Sequence, residues 1–202
     1  MAFEWLTGNN GPQFWKSYVS LFENEDKEQP DRYVVFDMET TGMDWKEDVI
    51  LSVGAIGIKN DVIQVNDFME IYISQDKYNR QSVALNGGVV KLSKAEKIVE
   101  AEGIIQLLNF IKNATLVSHN TNLDVEMINQ ALKRLDLGRL RNPIMDTNVL
   151  YQRWKNLGED TAFTLDEVCE SLKVKKSDRH SAASNAYTTA LVFLKLKKKL
   201  SL

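Results

Sequence analysis

Apolar residues along this chain fall into two registers, short blocks and longer helical stripes, and the blocks come first. Tyr33-Val34-Val35-Phe36 is a short apolar run, and Tyr33–Met38 reads as a buried strand. Val49–Lys59 is a second such run, and Asn60-Asp61 is a plausible tight turn into a third, Val62–Ile73. A loop rich in Asn, Gln and Gly follows, up to Gly88. Ala95–Ile111 then carries a helical period through Ile98, Ile105, Leu108 and Ile111. Thr115–Ser118 is a short buried strand and Asp124–Leu135 a helix. Pro143-Ile144-Met145 leads as a strand into Asp146-Thr147, the cap of another helix. Thr164-Leu165-Asp166-Glu167 fits a capping box, with Thr164 as N-cap and Glu167 reaching back. The last helix runs from about Ala182 to Lys199. Strands in succession, then strands alternating with helices, predict an α/β fold with a mixed sheet. There is no internal repeat and no low-complexity tract.

Residues 1–30 read as an N-terminal helical extension with a polar linker, and 31–202 as the main domain. Phe14, Trp15, Tyr18, Leu21 and Phe22 recur at helical spacing, and Glu23–Pro30 is polar and ends in the proline that stops a helix. Such a stripe more often packs on its own core; the sharper reading is a helix that docks a partner.

Composition bounds the picture. The chain has 202 residues, enough for one well-cored domain, with 44% hydrophobic and 26% charged residues. No apolar stretch is long enough to span a bilayer, and Met1–Trp5 lacks the basic-then-apolar pattern of a signal peptide. Cys169 is the sole cysteine, which excludes an intrachain disulfide and a Cys-rich metal site. Together these favour a cytoplasmic protein without a membrane partner. The net charge of −3 argues against a broad basic platform for duplex nucleic acid. It leaves room for an enzyme that grips one strand end through metal ions.

The chemistry is concentrated at Asp37-Met38-Glu39. In a strand, residues i and i+2 share a face, so both carboxylates project side by side at the strand's carboxyl end, where Thr40-Thr41-Gly42 breaks the run. Adjacent like charges are costly there unless a cation holds them, and hard oxygen ligands suit Mg²⁺ or Mn²⁺ better than zinc. Taken alone, the tripeptide is more often a solvated turn. A phosphatase forming an aspartyl-phosphate is another reading, but it normally wants a second Asp where this chain has Glu39. Two more places stand out. His119-Asn120 follows a strand, with Asp124 in the first turn of the next helix, usually a mere dipole partner. His180 opens the last helix after Lys176–Arg179; alone it is an exposed loop histidine, although a reference pKa near 6.5 suits a general base.

In combination these motifs change the odds. Phe36-Asp37-Met38-Glu39-Thr40-Thr41-Gly42, Val117-Ser118-His119-Asn120 with Asp124, Asp146-Thr147, and His180 followed five positions on by Asn185 resemble the DEDDh 3′–5′ exonucleases. That superfamily includes the proofreading subunit of bacterial replicative polymerase and ribonuclease T, and the resemblance covers about residues 31–200. It implies a ribonuclease-H-like, five-stranded mixed sheet flanked by helices, here with the extra N-terminal helix. It also implies two divalent cations, Mg²⁺ or Mn²⁺, held by Asp37, Glu39, Asp124 and the residue at position 185. By the same resemblance His180 is the general base, with Asp37, Glu39 and Asp124 in the catalytic set. Thr40, Thr41, Met43, His119 and Asn120 would touch the terminal nucleotide. The family expects Asp five residues after the third-motif histidine, and Asn185 offers a neutral carbonyl instead. Metal affinity and water activation should fall with the lost charge.

The expected function is metal-dependent removal of nucleotides from 3′ ends, DNA rather than RNA and single-stranded by preference, weakened by Asn185. The alternative is a catalytically silent module that binds nucleic acid or docks a polymerase. A polymerase or a second copy would then meet the N-terminal helix.

Overall fold

The structure, a computed structural model, describes residues 11–23, 32–75, 96–158, 161–175 and 181–202. Helix α1 (Gln13–Val19) runs into a 3₁₀ turn at Ser20–Phe22. Strands β1 (Arg32–Thr40), β2 (Ile50–Lys59) and β3 (Val62–Ser74) follow, then β4 (Lys97–Val99) and α2 (Glu100–Ile111). Strand β5 (Thr115–Ser118) leads to α3 (Thr121–Arg134), and β6 (Ile144–Asp146) to α4 (Thr147–Lys155). Helices α5 (Leu165–Leu172) and α6 (Ala182–Leu200) close the chain.

The strands form a mixed sheet in the order β4-β3-β2-β1-β5-β6. The meander β1-β2-β3 is antiparallel, while β1-β5, β5-β6 and β3-β4 are parallel. Asn60 and Asp61 both take positive φ, which is what a two-residue hairpin turn requires, and Lys59 pairs directly with Val62. The sheet therefore has one strand more than the five expected. The addition is β4, whose Lys97, Ile98 and Val99 pair with Tyr72, Ile73 and Ser74. This corrects the expected helix over 95–111: the helix begins at Glu100, and Ile104, Leu107, Leu108 and Ile111 form its buried stripe in place of one led by Ile105. A three-residue parallel ladder is set by a partner more than twenty residues away, so local periodicity does not signal it. The Gly88 loop lies outside the described residues.

Alternation along β1 sends Val34 and Phe36 to one face and Val35 to the other. The first face carries a core with α1, α2 and α3, through Trp15, Tyr18, Leu107 and Ile128. The second is covered by α4, α5 and α6, through Leu150, Val168 and Phe193. Helix α1 thus spends its apolar stripe on the chain's own core. The Tyr18 hydroxyl, buried there, donates to Asn142 Oδ1 at 2.6 Å and accepts from Arg141 N at 2.9 Å. Asn142 in turn donates to the Lys112 and Ala114 carbonyls. The basic end of α6 is likewise engaged. Lys195 donates to the Leu172 and Lys173 carbonyls at the end of α5, Lys197 pairs with Asp61, and Lys199 lies over the Trp154 ring. No described helix is long and apolar enough to cross a membrane.

Candidate active site

Residues 35, 37 and 39 share one face of β1, so Asp37 and Glu39 follow Val35 toward the α6 side. Asp37 sits opposite Gly54 in the β1-β2 ladder, and the register shifts just beyond Glu39. Gly54 is decisive for what meets Asp37. A Cβ placed there would lie 2.1 Å from Ala183 N and 2.3 Å from Ala182 C, so the first turn of α6 rests directly on the β2 backbone. That turn is secured by Ser181, whose hydroxyl accepts from Ser184 N at 3.2 Å. Asn185, one turn in, consequently reaches Asp37, and its Nδ2 donates to Asp37 Oδ2 at 3.2 Å.

Asp124 arrives from the other face. The body of α3 packs with the first core, but its first turn starts where β5 ends, at the carboxyl edge of the sheet. There Asp124 and Asp37 lie close enough for mutual repulsion. Burial, then the neighbouring Asp124, hold the Asp37 carboxyl well above its ordinary value; the Asn185 hydrogen bond opposes this and Glu39 adds to it. Asp124 is pushed up to about 7, chiefly by burial, with Asp146 adding to the rise and Ser118 tempering it. The Ser118 hydroxyl nonetheless completes no hydrogen bond of ordinary geometry, so its influence is that of a nearby dipole.

The loop after β1 is built around an aspartate that the sequence does not flag. Asp48 Oδ1 accepts from the Thr41 hydroxyl at 2.7 Å, and Asp48 Oδ2 accepts from Asp44 N at 2.9 Å. A Cβ on Gly42 would fall 2.4 Å from Asp48 Oδ2, so any larger residue there would displace the Asp48 carboxylate. Thr40 donates to the Gly42 carbonyl at 2.6 Å, and Met43 stands 85% exposed beyond it.

The residues after β5 divide their roles. His119 lies with Nε2 at 2.7 Å from the Phe163 carbonyl and Nδ1 at 2.9 Å from the Thr147 hydroxyl. A carbonyl only accepts, so Nε2 carries the hydrogen. Burial holds the ring's pKa below its ordinary value, and the side chain braces α4 against the segment before α5. Asn120, by contrast, is exposed and takes a left-handed conformation at the start of α3. His180 lies outside the described residues.

The structure thus gathers Asp37, Asp124 and Asn185, with Glu39 beside them. Hard oxygen donors of this kind fit a divalent cation. Asp37 and Asp124 form no ion pair with Lys or Arg among the described residues, and their raised proton affinities are what a cation would relieve. Among the described residues no three His, Cys, Asp or Glu side chains form a finished metal cage. Ion binding would have to draw the carboxylates together against their repulsion.

A family model described as an exonuclease, of the RNase T type, matches residues 34–193. The chain belongs to this exonuclease family, of the DEDD type, whose members are hydrolytic nucleases. It is 36% identical over 172 residues to the PolC-type DNA polymerase III of Caldanaerobacter subterraneus subsp. tengcongensis, which covers 83% of this chain and 12% of that protein. It is 30% identical over 179 residues to the PolC-type DNA polymerase III of Thermotoga petrophila, covering 89% of this chain and again 12% of the relative. Among solved structures it resembles E. coli exonuclease I in complex with a dA16 oligonucleotide, with a TM-score of 0.72 at 16% identity, over 85% of this chain and 42% of that one. The chain therefore spans about an eighth of the length of the polymerases it matches.

Proposed function

We propose that this chain removes nucleotides from the 3′ ends of DNA, with single strands preferred, as an exonuclease domain of the kind carried by its polymerase relatives. The observation that carries the reading is the meeting of Asp37, Asp124 and Asn185 at the carboxyl edge of β1 and β5. Two divalent cations, Mg²⁺ or Mn²⁺, would be held by Asp37, Glu39, Asp124 and the Asn185 carbonyl, and would supply Lewis acidity to phosphodiester hydrolysis. Asp37 and Asp124 would serve in their charged forms, which burial disfavours, and Asn185 must turn its oxygen toward the cluster in place of the amide that now faces Asp37. Thr40 at the end of β1, Thr41 and Met43 on the loop held by Asp48, and Asn120, exposed at the start of α3, would receive the terminal nucleotide. His119 would act there only by bracing, since both ring nitrogens are occupied. His180 is the proposed general base.

A second reading has one specific observation behind it: a neutral amide satisfies Asp37 where the family carries an acid. That substitution suits a module that binds nucleic acid without cutting it.

Oligonucleotides labelled at the 3′ or the 5′ end separate the two. With Mn²⁺, slow loss of the 3′ label ahead of the 5′ label is expected. Asn185→Asp should raise the rate more at low metal than at high metal, because it restores binding before chemistry. In that background His180→Ala should lower turnover by about 10²-fold or more, the usual scale for a general base. If Asn185→Asp binds Mg²⁺ well yet leaves every 3′ end intact, the binding module displaces the enzyme.

A further inference from the structure

The geometry points to Asp146 as the positioning residue that sets the first turn of α3, and through it the placement of Asp124. The inference rests on the metal-dependent reading of the site proposed above. Asp146 is the last residue of β6 and pairs with Ser118 at the end of β5. Its carboxylate accepts three backbone hydrogen bonds from two helices. Oδ2 accepts from Thr121 N at 2.7 Å, and Oδ1 accepts from Asn120 N at 3.3 Å and from Asn148 N at 2.7 Å. Thr121 opens α3, and Asn148 lies in the first turn of α4, of which Asp146 is itself the N-cap. One side chain therefore caps both helices that follow β5 and β6.

The cap of α3 is unusual in its source. Helix N-termini leave amides unsatisfied, and the residue at the N-cap position normally supplies the oxygen from its own side chain. Asn120 holds that position in α3, yet its side chain makes no capping bond and its backbone is left-handed. The oxygen comes from a neighbouring strand instead. Two consequences follow from that arrangement. The exposed Asn120 side chain stays available to ligand. And the first turn of α3, with Asp124 three residues after Thr121, is pinned to the β5-β6 ladder from outside the helix. The Thr121 hydroxyl adds to this anchorage by donating to the Ser118 and Met145 carbonyls at 3.4 and 3.3 Å. A carboxylate that must move toward a cation against its neighbours needs a fixed base, and groups that orient ligands typically change metal affinity or activity by about 10- to 100-fold when removed.

The test is a Mn²⁺ titration followed by water-proton relaxation, on the full chain and on the full chain carrying Asn185→Asp. Each is compared with added Asp146→Ala, Asp146→Asn, Thr164→Ala or Asp37→Asn. Thr164→Ala removes a different helix's capping box, remote in role from the site, and serves as the control for lost stability alone. Circular dichroism selects a temperature at which all variants remain folded. The expected result is a 10- to 100-fold rise in the Mn²⁺ dissociation constant for Asp146→Ala and a change within twofold for Thr164→Ala. Asp146→Asn should fall between them, since one carbonyl oxygen replaces two acceptors. Asp37→Asn should abolish binding. If Asp37→Asn abolishes binding while Asp146→Ala and Asp146→Asn track Thr164→Ala, Asp146 is a structural cap only and the inference is overturned, with the metal reading intact. If Asp37→Asn leaves Mn²⁺ binding unchanged, the metal reading fails and takes this inference with it.

Discussion

Asp37 and Asp124 hold protons more tightly than ordinary aspartates because burial disfavours the charge, with Asp124 adding to the rise at Asp37 and Asp146 to that at Asp124. The sign of the pH effect follows. A folded-state value raised above the unfolded one contributes stability below about 4, and that stability is lost as pH rises through about 7 for Asp124. In EDTA, urea unfolding should therefore show the metal-free protein to be more stable at pH 5 than at pH 8. Asp124→Asn should narrow that gap, and Mn²⁺ should stabilise more at pH 8 than at pH 5. A protein equally stable at both values, with and without Mn²⁺, would contradict the assignment. Much of this cluster was legible beforehand. Period-two alternation places Asp37 beside Glu39, and the family resemblance singles out position 185, five residues after His180. Asp146 was legible as the cap of α4, but its reach to α3 was not, nor were the roles of Asp48 and Gly54, because each depends on how the chain folds back in space. An isolated glycine in a strand was the one available hint, since it often marks a close backbone approach.

At the scale of elements, boundaries held where the signal was local. The Thr164 capping box forms in full, with Glu167 N donating to the Thr164 hydroxyl and Glu167 Oε2 accepting from Thr164 N. Thr164→Ala should cost about 1 kcal/mol in chemical denaturation, with the rate per folded molecule unchanged. Strand β5 and the β2-β3 turn also stand where the apolar runs and Asn60-Asp61 put them. Strand β4 was missed because three residues carry no readable period, and a parallel ladder takes its register from distant chain.

For the molecule as a whole, α1 belongs to the packing of the first core, and Tyr18 shows how tightly. Burial pushes its hydroxyl up to about 12, and that group satisfies both Asn142 and Arg141. Tyr18→Phe strands those partners and should destabilise by about 1–3 kcal/mol. Its Tm should drop by several degrees while 3′-end removal per folded molecule stays the same; an unchanged Tm would mean that water replaces the hydroxyl. A helical stripe is legible from spacing alone, but whether it faces its own core or a partner depends on the surface it meets. The seat of α6 on β2 has a wider consequence still. Every nucleotide change that alters a glycine codon to another amino acid adds a Cβ, and at position 54 that atom has backbone on top of it. The position is thus closed to genetic drift. A library selected for folding should return glycine alone at 54, while Gly158, with nothing within 4 Å of its would-be Cβ, should accept nearly any residue.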